Sequence, residues 1–133
     1  MSAGDFFDTN VLIYAAIQDA ALARVAELAI KSGGVISVQV LNEFASVMTV
    51  KHGKGWAEVE TFLTSARRLL EVRPLTEQAH DHARDLVERY KLQWWDALIA
   101  ASALEAGCHR LLTQDMHAGL IVDGRLTVVN PFA

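Results

Sequence analysis

Four acidic residues of this chain lie inside or directly against runs of apolar residues, which is an unusual setting for a carboxylate. Most acidic side chains are solvated at the surface, and burying one is costly unless it is paired, hydrogen-bonded or bound to a metal. A cluster around a divalent cation would account for all of them together, because Mg²⁺ and Mn²⁺ prefer carboxylate and water oxygens. These acids are Asp8, Glu43, Asp96 and Asp115.

A carboxylate cluster with a bound cation can hydrolyse a phosphodiester. Crowded carboxylates repel each other, which raises their pKa values until a cation removes the repulsion. The cation can then help to orient and deprotonate a water and stabilise the charge that develops on a phosphate oxygen. Polar neighbours that could orient the carboxylates or a water are Thr9, Asn10 and Thr113.

Each acid also has an ordinary structural explanation. Asp8 precedes Thr-Asn and could form an Asx turn or cap a helix. Glu43 lies in the middle of a predicted helix and could sit between its buried and solvated faces, with its stem packed and its carboxylate in water. The free amides and dipole at a helix start could stabilise Asp96 by ~0.3–1 kcal/mol, and loop aspartates such as Asp115 are common. The acids indicate a site as a set rather than one by one.

The elements that must position these acids follow from the apolar runs, the glycines and the capping residues. Strands are predicted at residues 5–8, 35–36, 110–113 and 126–129, with a turn at 9–10, an extended segment at 71–75 and a turn at 123–124. Helices are predicted at residues 11–16, 20–32, 38–51 with Ser37 as N-cap, 56–70, 77–90 with Thr76 as N-cap, and 95–106.

Short buried strands that alternate with helices predict an α/β sandwich with a mainly parallel sheet. In such sheets, sites form at the carboxyl ends of the strands. Asp8 and Asp115 both fall at or just beyond the end of a predicted strand. We therefore expect them on the same edge of the sheet.

The composition is that of a folded chain without disulfides. The 133 residues are 52% hydrophobic, which predicts one domain, residues 1–133, with a real core. The single cysteine, Cys108, rules out an internal disulfide and favours a reduced, cytoplasmic setting. The most apolar long segment, residues 94–106, is too short and too interrupted by acids to span a membrane.

The charge content bears on the possible partners. The formal net charge of −4 argues weakly against a protein that holds nucleic acid by its overall charge. The charged fraction of 21% is somewhat low, which suggests that a partner or a second copy covers part of the surface.

The order and context of the acidic motifs resemble the PIN-domain ribonucleases, in particular the VapC toxins of type II toxin–antitoxin modules. The resemblance covers residues 6–131, and its pieces are specific in their order and placement. They are Asp8-Thr9-Asn10-Val11-Leu12, Asn42-Glu43 in a helix, Trp95-Asp96-Ala97-Leu98-Ile99-Ala100-Ala101 at a helix start, and Leu112-Thr113-Gln114-Asp115 after a strand.

This resemblance implies a PIN-like three-layer sandwich with a mainly parallel five-stranded sheet flanked by helices. It also implies RNA cleavage that depends on Mg²⁺ or Mn²⁺ and inhibits translation or growth, a homodimer, and inhibition by a VapB-like antitoxin. By motif match, Asp8, Glu43, Asp96 and Asp115 carry over as the catalytic and metal-binding acids, and Thr113 as the accompanying hydroxyl. The RNA that is cut is not indicated.

Two other functions fit parts of the sequence. One is a PIN-like scaffold that binds RNA or a partner without cutting, although the complete set of acids argues against it. The other is a phosphatase with Asp8 as nucleophile. The haloacid-dehalogenase-like phosphatases need a second aspartate two residues later, where this chain has Asn10.

Several further residues have competing explanations. His80-Asp81-His82 resembles a metal cluster, but residues two apart on a helix do not share a face, so a solvated surface is expected. Cys108 has no nearby acid–base partner in the sequence. Trp56, Trp94 and Trp95 could stack on RNA bases, with a core role expected for at least one of the adjacent pair. Residues that could face a partner helix in a groove, or belong to the core, are Leu12, Tyr14, Ala15, Phe44 and Met48.

Overall fold

A six-stranded, mostly parallel β-sheet forms the centre of the computed structural model, which describes residues 4–17 and 20–133. Its strands are β1 (Asp5–Phe7), β2 (Gly34–Ser37), β3 (Leu70–Arg73), β4 (Arg110–Leu112), β5 (Ile121–Val122) and β6 (Leu126–Val129). They lie in the order β3–β2–β1–β4–β6–β5, and all neighbours are parallel except β5 and β6. The predicted mainly parallel sheet is confirmed.

Helices flank this sheet, as predicted. They are α1 (Thr9–Ala16), α2 (Ala20–Lys31), α3 (Val38–Ser46) with a π-helical continuation (Val47–Lys51), α4 (Trp56–Leu69), α5 (Glu77–Tyr90) and α6 (Trp94–Glu105). Helix α6 packs against β2, β4 and β6, and α5 packs against α6. Helix α1 contacts both α2 and α3. The chain therefore brings α1, α3 and α6 close to the central strands.

Helix α6 is apolar on nearly all sides, and most of it is buried between the sheet and α5. Every residue from 97 to 104 is buried, which is the expected fate of a helix without a polar face. Its first turn is less buried and carries Asp96. Neither α6 nor any other helix in the described part of the chain is long and apolar enough to cross a membrane.

The sheet has one strand more than the five that the resemblance implied. Asp123 and Gly124 both adopt positive φ angles, 52° and 65°, and turn the chain so that β5 pairs with β6. The Asp-Gly turn was predicted, but a strand of two residues is too short to show a periodic pattern. Strand β3 was expected only as an extended segment, and it pairs with β2.

Three predicted helix starts can be compared with the structure. Thr76 caps α5 as predicted, because its hydroxyl oxygen accepts a hydrogen bond from the amide of Ala79 at 3.0 Å. The predicted turn at residues 9–10 is instead the first turn of α1, with Asp8 as its N-cap. Ser37 precedes α3 as predicted but makes no side-chain cap, because it is also the last residue of β2 and is fully buried.

Gly34 allows β1 and β2 to approach each other closely. Its φ is +149°, and a Cβ atom there would lie 2.4 Å from the carbonyl oxygen of Asp5 and 2.6 Å from the ring of Phe7. We expect Gly34→Ala to lower the free energy of unfolding by about 1–3 kcal/mol, because overpacking displaces neighbouring groups. Urea unfolding followed by circular dichroism measures this loss. Gly55→Ala is the control, since a Cβ atom at Gly55 meets nothing within 4 Å; equal losses in both variants would contradict this explanation.

Candidate acidic site

The strand order changes direction at the boundary between β1 and β4. Strands β2 and β3 extend the sheet on one side of β1, whereas β4, β6 and β5 extend it on the other. The carboxyl ends of β1 and β4 lie side by side, and the amide of Asp8 donates to the carbonyl oxygen of Leu112 at 3.0 Å. Such a switch point is where open α/β sheets form ligand sites. Asp8 and Asp115 both lie on this edge.

Asp8 is buried, with 6% of its surface exposed. Its Oδ1 accepts the amide of Thr9 at 2.7 Å, and its Oδ2 accepts the hydroxyl of Thr113 at 2.7 Å. Burial raises the pKa of Asp8 to about 6 against the opposing effect of these hydrogen bonds, and the charges of Glu43 and Asp115 add to the rise. The helix-capping explanation of Asp8 is therefore correct but incomplete, because its carboxylate also faces other acids.

Asn10 connects Asp8 to Asp115 across the ends of the two strands. Its amide nitrogen lies 3.3 Å from Oδ2 of Asp8, 3.1 Å from Oγ1 of Thr113 and 3.2 Å from Oδ2 of Asp115. The Thr113 hydroxyl also accepts the amide of Asp115 at 3.1 Å. Asp115 itself is exposed, in contrast to the partly buried setting expected from its sequence. Thr9 supports Asp8 through its backbone amide, since its hydroxyl has no partner among the described residues.

Glu43 projects from α3 and is half-buried. Gln39, one helical turn earlier, donates from Nε2 to Oε1 of Glu43 at 2.8 Å and to the carbonyl oxygen of Trp95 at 3.4 Å. Gln39 is only 3% exposed. Its two hydrogen bonds hold the Glu43 carboxylate and link α3 to the start of α6. Gln39 is a site residue that was not predicted from the sequence. It could have been found from its spacing, because a glutamine four residues before a glutamate lies on the same face of a helix.

Asp96 lies in the first turn of α6, after the N-cap position occupied by Gln93. Partial burial raises the pKa of Asp96, and the negative charges of Asp115 and Glu43 raise it further. Within the described residues, no side chain or amide donates a hydrogen bond to its carboxylate. Asp96 is therefore the acid of this set whose charge is least compensated by the protein.

One cavity of about 260 Å³ brings the predicted acids together. It is lined by Asp8, Thr9, Asn10, Ile13, Glu43, Val47, Gln93, Trp95, Asp96, Ile99 and Asp115. None of the described residues that line it is a lysine, an arginine or a histidine. We refer to it below as the acidic cavity.

The side chains of the acidic cavity fit a hard divalent cation by their chemistry. Carboxylate, hydroxyl and amide oxygens are the ligands that Mg²⁺ and Mn²⁺ prefer. A cation would offset the cost of burying the charges of Asp8 and Asp96, and it would also relieve their smaller repulsion from the neighbouring acids. Over residues 4–17 and 20–133, however, no three His, Cys, Asp or Glu side chains are grouped closely enough to hold an ion as they stand. Binding would therefore require the carboxylates to turn towards each other.

A larger groove of about 500 Å³ lies elsewhere and contains no acid cluster. It is lined mainly by apolar side chains, among them Phe44, Met48, Val59 and Phe62. Of the residues expected either in a groove or in the core, Phe44 and Met48 line this groove, but at 0% and 4% exposed they also belong to the core. Leu12 is fully buried in the core, and Tyr14 packs on the ring of Phe132.

The other metal or nucleophile candidates of the sequence belong to different surroundings. His80 contacts the ring of Trp94, whereas His82 lies 2.7 Å from Oδ2 of Asp123, so the two histidines have separate partners. Burial raises the pKa of Cys108 to about 11, and the nearby charges of Asp5 and Glu71 raise it as well. A thiol of this kind is a poor nucleophile near neutral pH.

Comparisons with known proteins give one family and several similar folds. The model of the PIN domain family matches residues 6–118. No curated protein sequence matches the chain. Among solved structures, a toxin–antitoxin complex from Klebsiella pneumoniae has a TM-score of 0.67 at 24% identity, with 96% of this chain and 97% of that chain covered.

Two further solved structures have the same fold. VapC20 of Mycobacterium tuberculosis, a toxin that cleaves the sarcin-ricin loop, has a TM-score of 0.70 at 18% identity, with 91% of this chain and 98% of that chain covered. VapBC2 of Rickettsia felis, bound to a DNA fragment from its promoter, has a TM-score of 0.62 at 23% identity, with 84% and 88% covered. At these identities the similarity establishes the fold.

Proposed function

This chain belongs to the PIN domain family, and we propose that it is a metal-dependent endoribonuclease that acts as the toxin of a toxin–antitoxin pair. The observation that carries this proposal is the acidic cavity at the carboxyl edge of the sheet, into which Asp8, Glu43, Asp96 and Asp115 all face. Burial raises the pKa values of Asp8 and Asp96, and repulsion from the neighbouring acids raises them further, as is common for carboxylates at functional sites.

We propose that these acids hold Mg²⁺, with Mn²⁺ as a substitute. When bound, the cation supplies the positive charge that favours deprotonation of a water and stabilises the phosphate in the transition state. The remaining tasks belong to the protein. Thr113 and the amide of Thr9 hold Asp8, Gln39 holds Glu43, and Asn10 holds Asp115. Asp96, which no described group hydrogen-bonds, is the carboxylate most available to accept a proton from the attacking water.

The proposed protein partner is a VapB-like antitoxin, and the proposed assembly is a homodimer. Support for the antitoxin comes from the similar folds of the Klebsiella pneumoniae toxin–antitoxin complex and of VapBC2. The homodimer rests on the resemblance to the VapC toxins alone. The apolar groove lined by Phe44, Met48, Val59 and Phe62 has the character of a surface that takes the apolar face of a partner helix. By its proposed role, the free toxin would inhibit translation or growth.

Removal and return of the metal tests the proposed activity. We expect the purified protein to leave RNA intact in EDTA and to cleave it when Mg²⁺ or Mn²⁺ is added, with a rate that saturates in metal. Sequencing of the RNA ends would locate the cuts. Cleavage that persists in EDTA would contradict metal dependence. RNA binding without cleavage at any metal concentration would favour the alternative, a PIN-like scaffold that binds without cutting.

A further inference from the structure

Two adjacent tryptophans at the start of α6 have different surroundings. Trp94 is half-buried, and its ring contacts His80 in an edge arrangement with centroids 5.1 Å apart. Trp95 is 55% exposed and lines the acidic cavity beside Asp96. Core packing does not account for this exposed ring, and its position at the acidic cavity distinguishes it from the other exposed apolar side chains.

The acidic cavity presents a difficulty for a substrate that is itself an anion. All of its charged lining residues are acids, and none of the described ones is a cation. A bound metal offsets part of the repulsion of a phosphate, but it supplies no contact to the rest of a nucleotide. An uncharged group at the rim could attract the substrate without adding to this repulsion.

The indole of Trp95 has the properties of such a group. Stacking of a base on an aromatic ring is worth ~1–3 kcal/mol and involves no formal charge. The backbone of Trp95 is also well fixed, because its carbonyl oxygen accepts a hydrogen bond from Gln39 at 3.4 Å and the following residues 97–104 of α6 are buried. The backbone that carries the ring therefore does not need to be ordered when the strand binds.

We propose that Trp95 is a substrate-binding residue whose indole stacks on one base of the RNA strand beside the phosphate that enters the acidic cavity. This rests on the proposed function for the identity of the substrate. A base inside a duplex already stacks on both faces, so the contact is available only to an unpaired base. Trp95 therefore contributes to binding of single strands and not of duplexes.

Trp56 provides the matched control for a test of this proposal. It is 68% exposed at the start of α4 and does not line the acidic cavity. We would measure binding of a short fluorescein-labelled RNA of mixed sequence by fluorescence anisotropy, in an Asp96→Asn background and in EDTA, so that cutting is negligible during the measurement. The same strand annealed to its complement is the second probe.

We expect Trp95→Ala to weaken binding of the single strand roughly 10- to 100-fold. Trp95→Phe should restore most of the affinity because it keeps an aromatic face, and Trp56→Ala should have no effect. Duplex binding should not change in any of these variants. Equal losses in Trp95→Ala and Trp56→Ala, or unchanged binding in Trp95→Ala, would overturn the proposal.

Two further measurements distinguish base stacking by Trp95 from the proposed nuclease activity and from a protein contact made by Trp95. If the protein with Asp96 intact binds the single strand through Trp95 but cuts no RNA at any metal concentration, the stacking proposal stands and the nuclease proposal fails. In sedimentation, Trp95→Ala should behave as the wild type. A changed oligomeric state with unchanged RNA affinity would assign Trp95 to a protein contact and overturn the proposal.

Discussion

Asp96→Asn is expected to leave the fold intact and to reduce RNA cleavage by roughly 10²–10⁴-fold, the range for loss of a group that transfers a proton in the transition state. Asparagine has nearly the same shape but cannot accept that proton and is a weaker ligand for a hard cation. Initial rates at saturating Mg²⁺ measure the loss. Undiminished cleavage would remove Asp96 from the site.

The stability of this variant can be predicted as well. Asp96 loses no hydrogen bond on substitution. The neutral amide gives up the interaction with the dipole of α6, worth ~0.3–1 kcal/mol, but it also ends the cost of partly burying a charge and the repulsion from Asp115 and Glu43, which together raise the pKa of Asp96. We therefore expect Asp96→Asn to unfold at the same urea concentration as the wild type or a higher one. Asp81→Asn is the matched control, because Asp81 is exposed on α5, outside the acidic cavity. It should leave both cleavage and stability unchanged.

In EDTA, the free energy of unfolding should fall as the pH rises from about 4 to about 7, relative to that of Asp8→Asn. The pKa of Asp8 rises from 3.8 to about 6 on folding, mainly through burial. The folded state thus binds this proton more tightly than the unfolded state, and that extra stability is present below pH 3.8 and lost as the pH rises through 6. The loss is at most about 3 kcal/mol, since one pKa unit corresponds to about 1.4 kcal/mol.

Urea unfolding of the wild type and of Asp8→Asn in EDTA, at several pH values, isolates this contribution. Other titrating groups, including Asp96, are shared by both proteins and largely cancel in the difference. Asp8→Asn also loses hydrogen bonds that Asp8 accepts, and this loss shifts the difference in unfolding free energy by about the same amount at every pH. Saturating Mg²⁺ should flatten the pH dependence of the wild type, because the cation favours the ionised carboxylates. A difference that does not vary with pH would contradict the assigned environment of Asp8.

Most of the secondary structure could be predicted because its signals are local. Thr76 and Gly107 mark a helix start and a helix end in the sequence, and the apolar run after Asp96 indicates a buried helix. The two-residue β5 and the π-helical continuation of α3 were missed, since neither has a pattern long enough to be read along the chain. The residues of β3 predict an extended segment, but they do not show that this segment pairs with β2, because pairing also requires the neighbouring strand.

The positions of the acids at strand ends and helix starts could be read from the sequence, because burial patterns and caps act over a few residues. How those acids face each other depends on the packing of elements that are far apart in the chain. Asn10 reaches Asp115 across more than a hundred residues, and Gln39 holds Glu43 while bonding the start of α6. The structure also decided that Trp94 packs inward and Trp95 lines the acidic cavity. Contacts of this kind follow from how strands and helices pack, and a one-dimensional pattern does not contain that information.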